Sequence, residues 1–209
     1  MEHNEIVKKI IEIEWPMFHS VNGEDRADCQ EDRAGFYSFR TAQFSAWSPD
    51  AAESYLRDLQ EAVREGRNLV REKYIHMMKT TDPVGYQVFC GELPPVSAEK
   101  QRLVTEIWRH LLPQTERMRT EHPALALGGR PLHAEEAEGG DTSLETYQIG
   151  ELLTYSEATL SALLSHIEAL ETGHIDLAFE IQRNTVTRNG AIPLEEAERA
   201  ILRAYHQNK

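Results

Sequence analysis

Four charged side chains stand where helical spacing calls for apolar ones. Val7, Ile10, Met17 and Phe18 mark a buried stripe, and Glu14 falls inside it, four residues after Ile10 and four before Phe18. Phe36, Arg40, Gln43 and Trp47 step by four, three and four, which puts a guanidinium and an amide between two aromatic rings. Lys73 interrupts the stripe of Leu69, Val70, Tyr74, Met77 and Met78, and Glu151 lies between Tyr147 and Tyr155 at steps of four. Burying an isolated charge costs several kcal/mol, so such groups must pair, reach water in a cleft, or bind a ligand. Two acids and two bases can close a neutral salt-bridge network, or they can line a polar pocket between facing helices.

In the pocket arrangement, Arg40 would receive an anionic or carboxylate group beside Lys73, while Glu14 and Glu151 would take an amine. Glu14, Glu151 and Lys73 are then the candidates for general acid and base chemistry, and Gln43, Trp47, Asn68, Tyr74, Tyr147 and Tyr155 are candidate ligand-orienting groups. Cys29, near the start of a helix whose dipole would lower a thiol pKa, is a candidate reactive thiol.

Metal chemistry has less support. A di-iron bundle needs two inward Glu-x-x-His motifs, which the chain lacks; Glu72 and His76 are four apart, and His110, His166 and His174 fall on other helices or at their ends. No metal is assigned, and no motif specifies a cofactor. Arg71 and His76, with four residues between them, resemble the pair of a helical ribonuclease superfamily, but that spacing places them on different helix faces. The metalloprotease, phosphate-loop and serine-elbow motifs are absent.

These residues must be carried by helices, because apolar positions follow the 3.6-residue period almost throughout and strict alternation is missing. The fold is expected to be all-α, a bundle of about seven to nine helices in a single domain spanning 1–209. Helices are predicted over about 3–18 and 33–47, and from Ser48-Pro49 through a third helix that carries Tyr55, Leu56, Leu59 and Val63. Gly66 marks the end of that third helix or a bend in it, and Asp82-Pro83 closes the fourth. Ser97 opens a helix reaching about Arg119, and 122–141, with its prolines and glycines, reads as a long internal loop. Thr142 and Glu145 match a capping box; the helical region beyond reaches Gly173 with a break near Ser156, and two shorter helices follow, the last opened by Pro193.

The net charge of −13 disfavours nucleic acid as a partner. No apolar run is long enough to cross a bilayer and no signal-like segment follows Met1, so a cytoplasmic protein is expected, with no membrane partner.

Taken together, the segments around Glu14, Cys29-Gln30, Phe36 with Arg40, Gln43-Phe44, Trp47, Asp58-Leu59, Arg67-Asn68-Leu69, Glu72-Lys73-Tyr74, Glu145-Thr146-Tyr147, Gly150-Glu151 and Tyr155-Ser156 resemble domain-of-unknown-function family 4125. The resemblance covers about residues 5–160 and carries no activity; its pattern does not call for histidine at His76. Some relatives look as though they accompany a nucleotidyltransferase-like domain, which implies a helical partner or substrate-binding role. Two functions stand at this point. One is a cytoplasmic enzyme or binder of a small polar metabolite, such as an amino acid or nucleotide derivative. The other is a non-catalytic assembly partner or regulator of another protein.

Overall fold

Short polar side chains start most of the helices in the computed structural model, which describes residues 1–21, 31–137 and 141–207. After α1 (His3–His19), the Asp32 carboxylate accepts from the Gly35 amide to open α2 (Arg33–Ser45). Ser48 caps α3 (Pro49–Arg64) and Asn68 caps α4 (Leu69–Thr81). Asp82 ends α4 and caps α5 (Pro83–Phe89), and Ser97 caps the longest helix, α6 (Ala98–Glu121). A four-residue α7 (Pro123–Ala126) precedes α8 (Leu144–Leu152), capped by Ser143, and α9 (Glu157–Thr172), capped by Ser156. The last two are α10 (Leu177–Val186) and α11 (Leu194–Gln207). The described residues contain no strand.

The all-α class therefore holds, but with eleven α-helices among the described residues rather than seven to nine. The unexpected pair, α5 and α7, both begin with proline. A proline that forbids continuation of one helix is also suited to the first position of the next, where its missing N–H is no loss. Asp82-Pro83 is thus both a stop and a start. The expected loop at 122–141 contains α7 and a 3₁₀ turn at Ala134–Glu136. Ser143, not Thr142, caps α8, and Glu145 accepts instead from the Ala134 amide at 2.9 Å, tying this stretch to α8. On α3, Tyr55, Leu56 and Leu59 are buried with Ala52 and Ala62, while Val63 is exposed.

Helix α1 packs against α2, α3 and α4; α8 lies on α4 and α6; α9 lies on α3 and α6; and α10 bridges α2 and α6. Ile10, Phe44, Leu59, Ile107, Leu160 and Ile167 form the inaccessible centre. Two glycines shape the neighbourhood of the charged residues. Gly66 has φ +71°, the left-handed conformation that lets the chain leave α3. Gly150 lets α8 approach α4, because a Cβ there would stand 2.7 Å from Met77 Cγ and 3.2 Å from the Lys73 carbonyl oxygen. No described helix is long and apolar enough to cross a membrane.

Candidate functional site

The four misplaced charges meet. Glu14 on α1 and Arg40 on α2 form a two-pronged pair, with Arg40 Nε donating to Glu14 Oε2 at 2.7 Å and Nη2 to Oε1 at 2.5 Å. Arg40 Nη1 donates to Gln43 Oε1 at 2.7 Å and to Glu151 Oε1 at 2.9 Å, which joins α2 to α8. Lys73 on α4 donates to Glu151 Oε2. Gln43 Nε2 and the Tyr155 hydroxyl also donate to Glu151 Oε1, at 2.8 and 2.7 Å, and the Tyr55 hydroxyl donates to Glu14 Oε1 at 2.6 Å. Both carboxylates thus have each oxygen engaged, and the formal charges of Glu14, Arg40, Lys73 and Glu151 cancel.

Exposure is 1% for Glu14, 5% for Arg40, 7% for Lys73 and 3% for Glu151, so solvent contributes little to balancing these charges. Burial alone would raise the Glu151 pKa, but Arg40 and Lys73 hold it well below the usual carboxylate range. Burial alone would lower Lys73, but Glu151, and then Tyr147, more than reverse this and raise it. Arg40 is likewise held well up, by Glu14 and Glu151 against burial. The hydroxyls of Tyr55 and Tyr155 are pushed up, first by burial and then by the adjoining carboxylates.

The network is also a wall. Glu14, Arg40, Tyr55, Lys73 and Glu151 border a cavity of about 260 Å³ that Phe18, Phe36 and Phe39 also line. The Lys73 ammonium sits over the Tyr147 ring, 3.3 Å from its centroid, and the Arg130 guanidinium lies 5.2 Å from the same centroid. Among the described residues, Glu151 is the only oxygen acceptor of Lys73, although an ammonium carries three donors. A second cavity, of about 440 Å³, shares Phe39, Arg130 and Tyr147 with the first.

A family model described as "Protein of unknown function (DUF4125)" matches residues 4–199. The chain belongs to this family. The match runs through α10 and into α11, beyond the stretch to about residue 160 on which the sequence resemblance rests. No curated protein and no solved structure matches the chain.

Several positions carrying the resemblance to DUF4125 are the ones that converge: Glu14, Arg40, Gln43, Lys73, Glu151 and Tyr155 occupy one network. Tyr147 joins it through its ring, and Tyr74 borders the first cavity. Trp47 stands off the network, packed edge-on to Tyr155 at 5.7 Å and bordering the second cavity. Asn68 is apart from both cavities: its Oδ1 accepts from the Arg71 amide and its Nδ2 donates to the Met17 carbonyl at 2.9 Å. Cys29 lies outside the described residues.

The metal and nuclease pairs are not assembled. Glu72 is gripped by Arg67 through two hydrogen bonds of 2.8 Å, Arg71 pairs with Glu92, and no described cluster of three or more His, Cys, Asp or Glu could hold a metal. Two site residues escaped the sequence reading. Tyr55 sits on an apolar stripe, where only the need of a buried phenol for a partner could have flagged it. Arg130 lies outside the helices, where periodicity carries no signal.

Proposed function

We propose that the first cavity binds a small zwitterionic metabolite, an amino acid derivative with a flat or apolar side chain. The observation that carries this reading is the incomplete pairing of Lys73 at a wall that is otherwise satisfied. A ligand carboxylate would complete the ammonium beside Arg130, an amine would face Glu14 and Asp32, and Phe18, Phe36 and Phe39 would receive the side chain. Binding is favoured over acid–base catalysis. A general acid or base works best with a pKa near the operating pH, whereas Glu151 is held low and Lys73 high, so neither exchanges protons readily near neutrality.

A thermal-shift and calorimetric screen of amino acids and nucleotide derivatives tests the reading. A ligand at about 100 times its dissociation constant adds roughly 2.7 kcal/mol of stability. Lys73→Met, which leaves Glu151 paired with Arg40, should abolish the shift while the fold persists. A blank screen, or equal binding by Lys73→Met, would overturn the proposal.

The rival role, a helical assembly partner or regulator, draws on Val84 and Val88, four apart on α5 and 80% and 71% exposed. Light scattering separates the two: replacing both valines with serine would change the mass of a complex or oligomer only if α5 forms its contact.

A further inference from the structure

The second cavity is built differently from the first. Trp47 from the α2–α3 connection, with Trp108, Leu111, Leu152, Leu163 and Leu177 from α6, α8, α9 and α10, supplies its walls. Its volume of about 440 Å³ falls in the roughly 300–1,000 Å³ range of ligand sites. The cavity is partly open, and its lining is mostly apolar with Gln43, Gln148 and Gln182 among the polar exceptions.

Arg119 and Arg130 border this apolar space. Arg119 Nη2 donates to the Arg130 carbonyl at 2.8 Å, and Arg130 Nη1 donates to the Thr142 carbonyl at 3.2 Å. Neither forms an ion pair with a described residue, in contrast to Arg67, Arg71, Arg102, Arg109 and Arg117, each of which is matched to a carboxylate. Burial lowers the Arg119 pKa, with Glu136 only partly opposing it, the condition of a guanidinium short of an anion.

We infer that this cavity is a binding site for an aliphatic carboxylate, its chain against the Trp and Leu walls and its carboxylate on Arg119 and Arg130. The two halves of the site match the two halves of such a molecule: the apolar walls exclude a wholly polar ligand, and the paired guanidiniums favour an acid over an alcohol of the same length. The site shares Phe39, Arg130 and Tyr147 with the first cavity, but neither Lys73 nor Glu151 borders it, so a change at Lys73 distinguishes it from the zwitterion reading.

Titration of the full chain with sodium decanoate, decanol and sodium acetate, followed by the fluorescence of Trp47 and Trp108 at the cavity wall, tests this. Decanoate should bind saturably below its micellar concentration and acetate should not bind. Changing Arg119 and Arg130 together to Ala should weaken decanoate about tenfold and leave decanol unchanged. Ala178→Phe, which fills the space from α10, should abolish binding of both; Ala126→Phe fills it from α7 should the first variant fold poorly. Lys73→Met should leave decanoate binding intact, which separates this result from the fate of the zwitterion proposal. Absence of saturable binding, equal loss of decanol in the double Arg variant, or undiminished binding in a folded filled variant would overturn the inference.

Discussion

Glu151 accepts from Arg40, Gln43, Lys73 and Tyr155, so removing its charge tests the whole network at one atom pair. Glu151→Gln keeps the shape but leaves Lys73 buried with no anion, and should cost about 3–5 kcal/mol in urea denaturation. Lys73→Met alone should cost less, because Glu151 retains Arg40. The double variant Lys73→Met/Glu151→Gln should be more stable than Glu151→Gln, since it removes the orphaned ammonium and leaves the neutral Glu14–Arg40 pair. Strict additivity of the two single effects would contradict this coupling. His76 offers a separate test through pH. Its pKa is lowered to about 4, first by burial and then by Lys100 and Lys79. Unfolded, it titrates near 6.5, so between about pH 6.5 and 4 the unfolded chain binds the extra proton and stability falls as pH falls. The depressed pKa of Glu151 adds a loss only at lower pH, below the unfolded carboxylate value of roughly 4.3. Denaturation midpoints of His76→Gln should therefore be flatter across the upper window while keeping the acid limb. At this scale the sequence is informative where a charge breaks a period, as at Glu14, Arg40, Lys73 and Glu151. It is silent where a polar atom hides on an apolar residue type, as at Tyr55, or where there is no period, as at Arg130.

The contact between α4 and α8 is what turns two such charges into a pair. Gly150 precedes Glu151 and faces Met77 and the Lys73 backbone, so the closeness of the helices rests on the missing Cβ. Gly150→Ala should push the helices apart or force Met77 to move, at a cost of about 1–3 kcal/mol that outweighs the gain in helix propensity. Its measurable signs are a lower denaturation midpoint and weaker zwitterion binding with little change in decanoate binding. Asn68→Ala acts at the other end of α4, removing the cap and the tie to Met17, and should cost about 1 kcal/mol or somewhat more. Asn68 also shows why candidate ligand residues need their place in an element. At a helix start, an amide has local work that does not require a ligand. Helix starts were legible at Ser48 and Ser97, whose caps follow from local chemistry, whereas the same capping role of Asn68 and Ser156 emerges only in the structure. The short α5 and α7 were not, because one or two turns hold too few positions to display a period.

At the scale of the whole molecule, the charges bind distant parts of the chain into one unit. Arg40 and Glu151 are 111 residues apart, and Glu14, Arg40, Tyr55, Lys73 and Glu151 come from five helices. None of these groups can remain buried if its partners leave, because each would then lack the opposite charge or donor that offsets desolvation. The network should therefore make α1 to α4 and α8 unfold together, with α6 and α9 included through the shared apolar core. Helix α11 differs: only Ala197 is buried on it, and it rests on α7 and α10. Far-UV circular dichroism and Trp fluorescence should accordingly give coincident urea transitions, since Trp47 and Trp108 sit in the common core. Native-state hydrogen exchange should show α11 amides opening well before those of α3 and α9. Two resolved transitions, with the fluorescence change preceding loss of most helix, would mean that the charged centre can dissolve while the bundle stands. That outcome would make the network a local binding surface rather than the bond that holds five helices together.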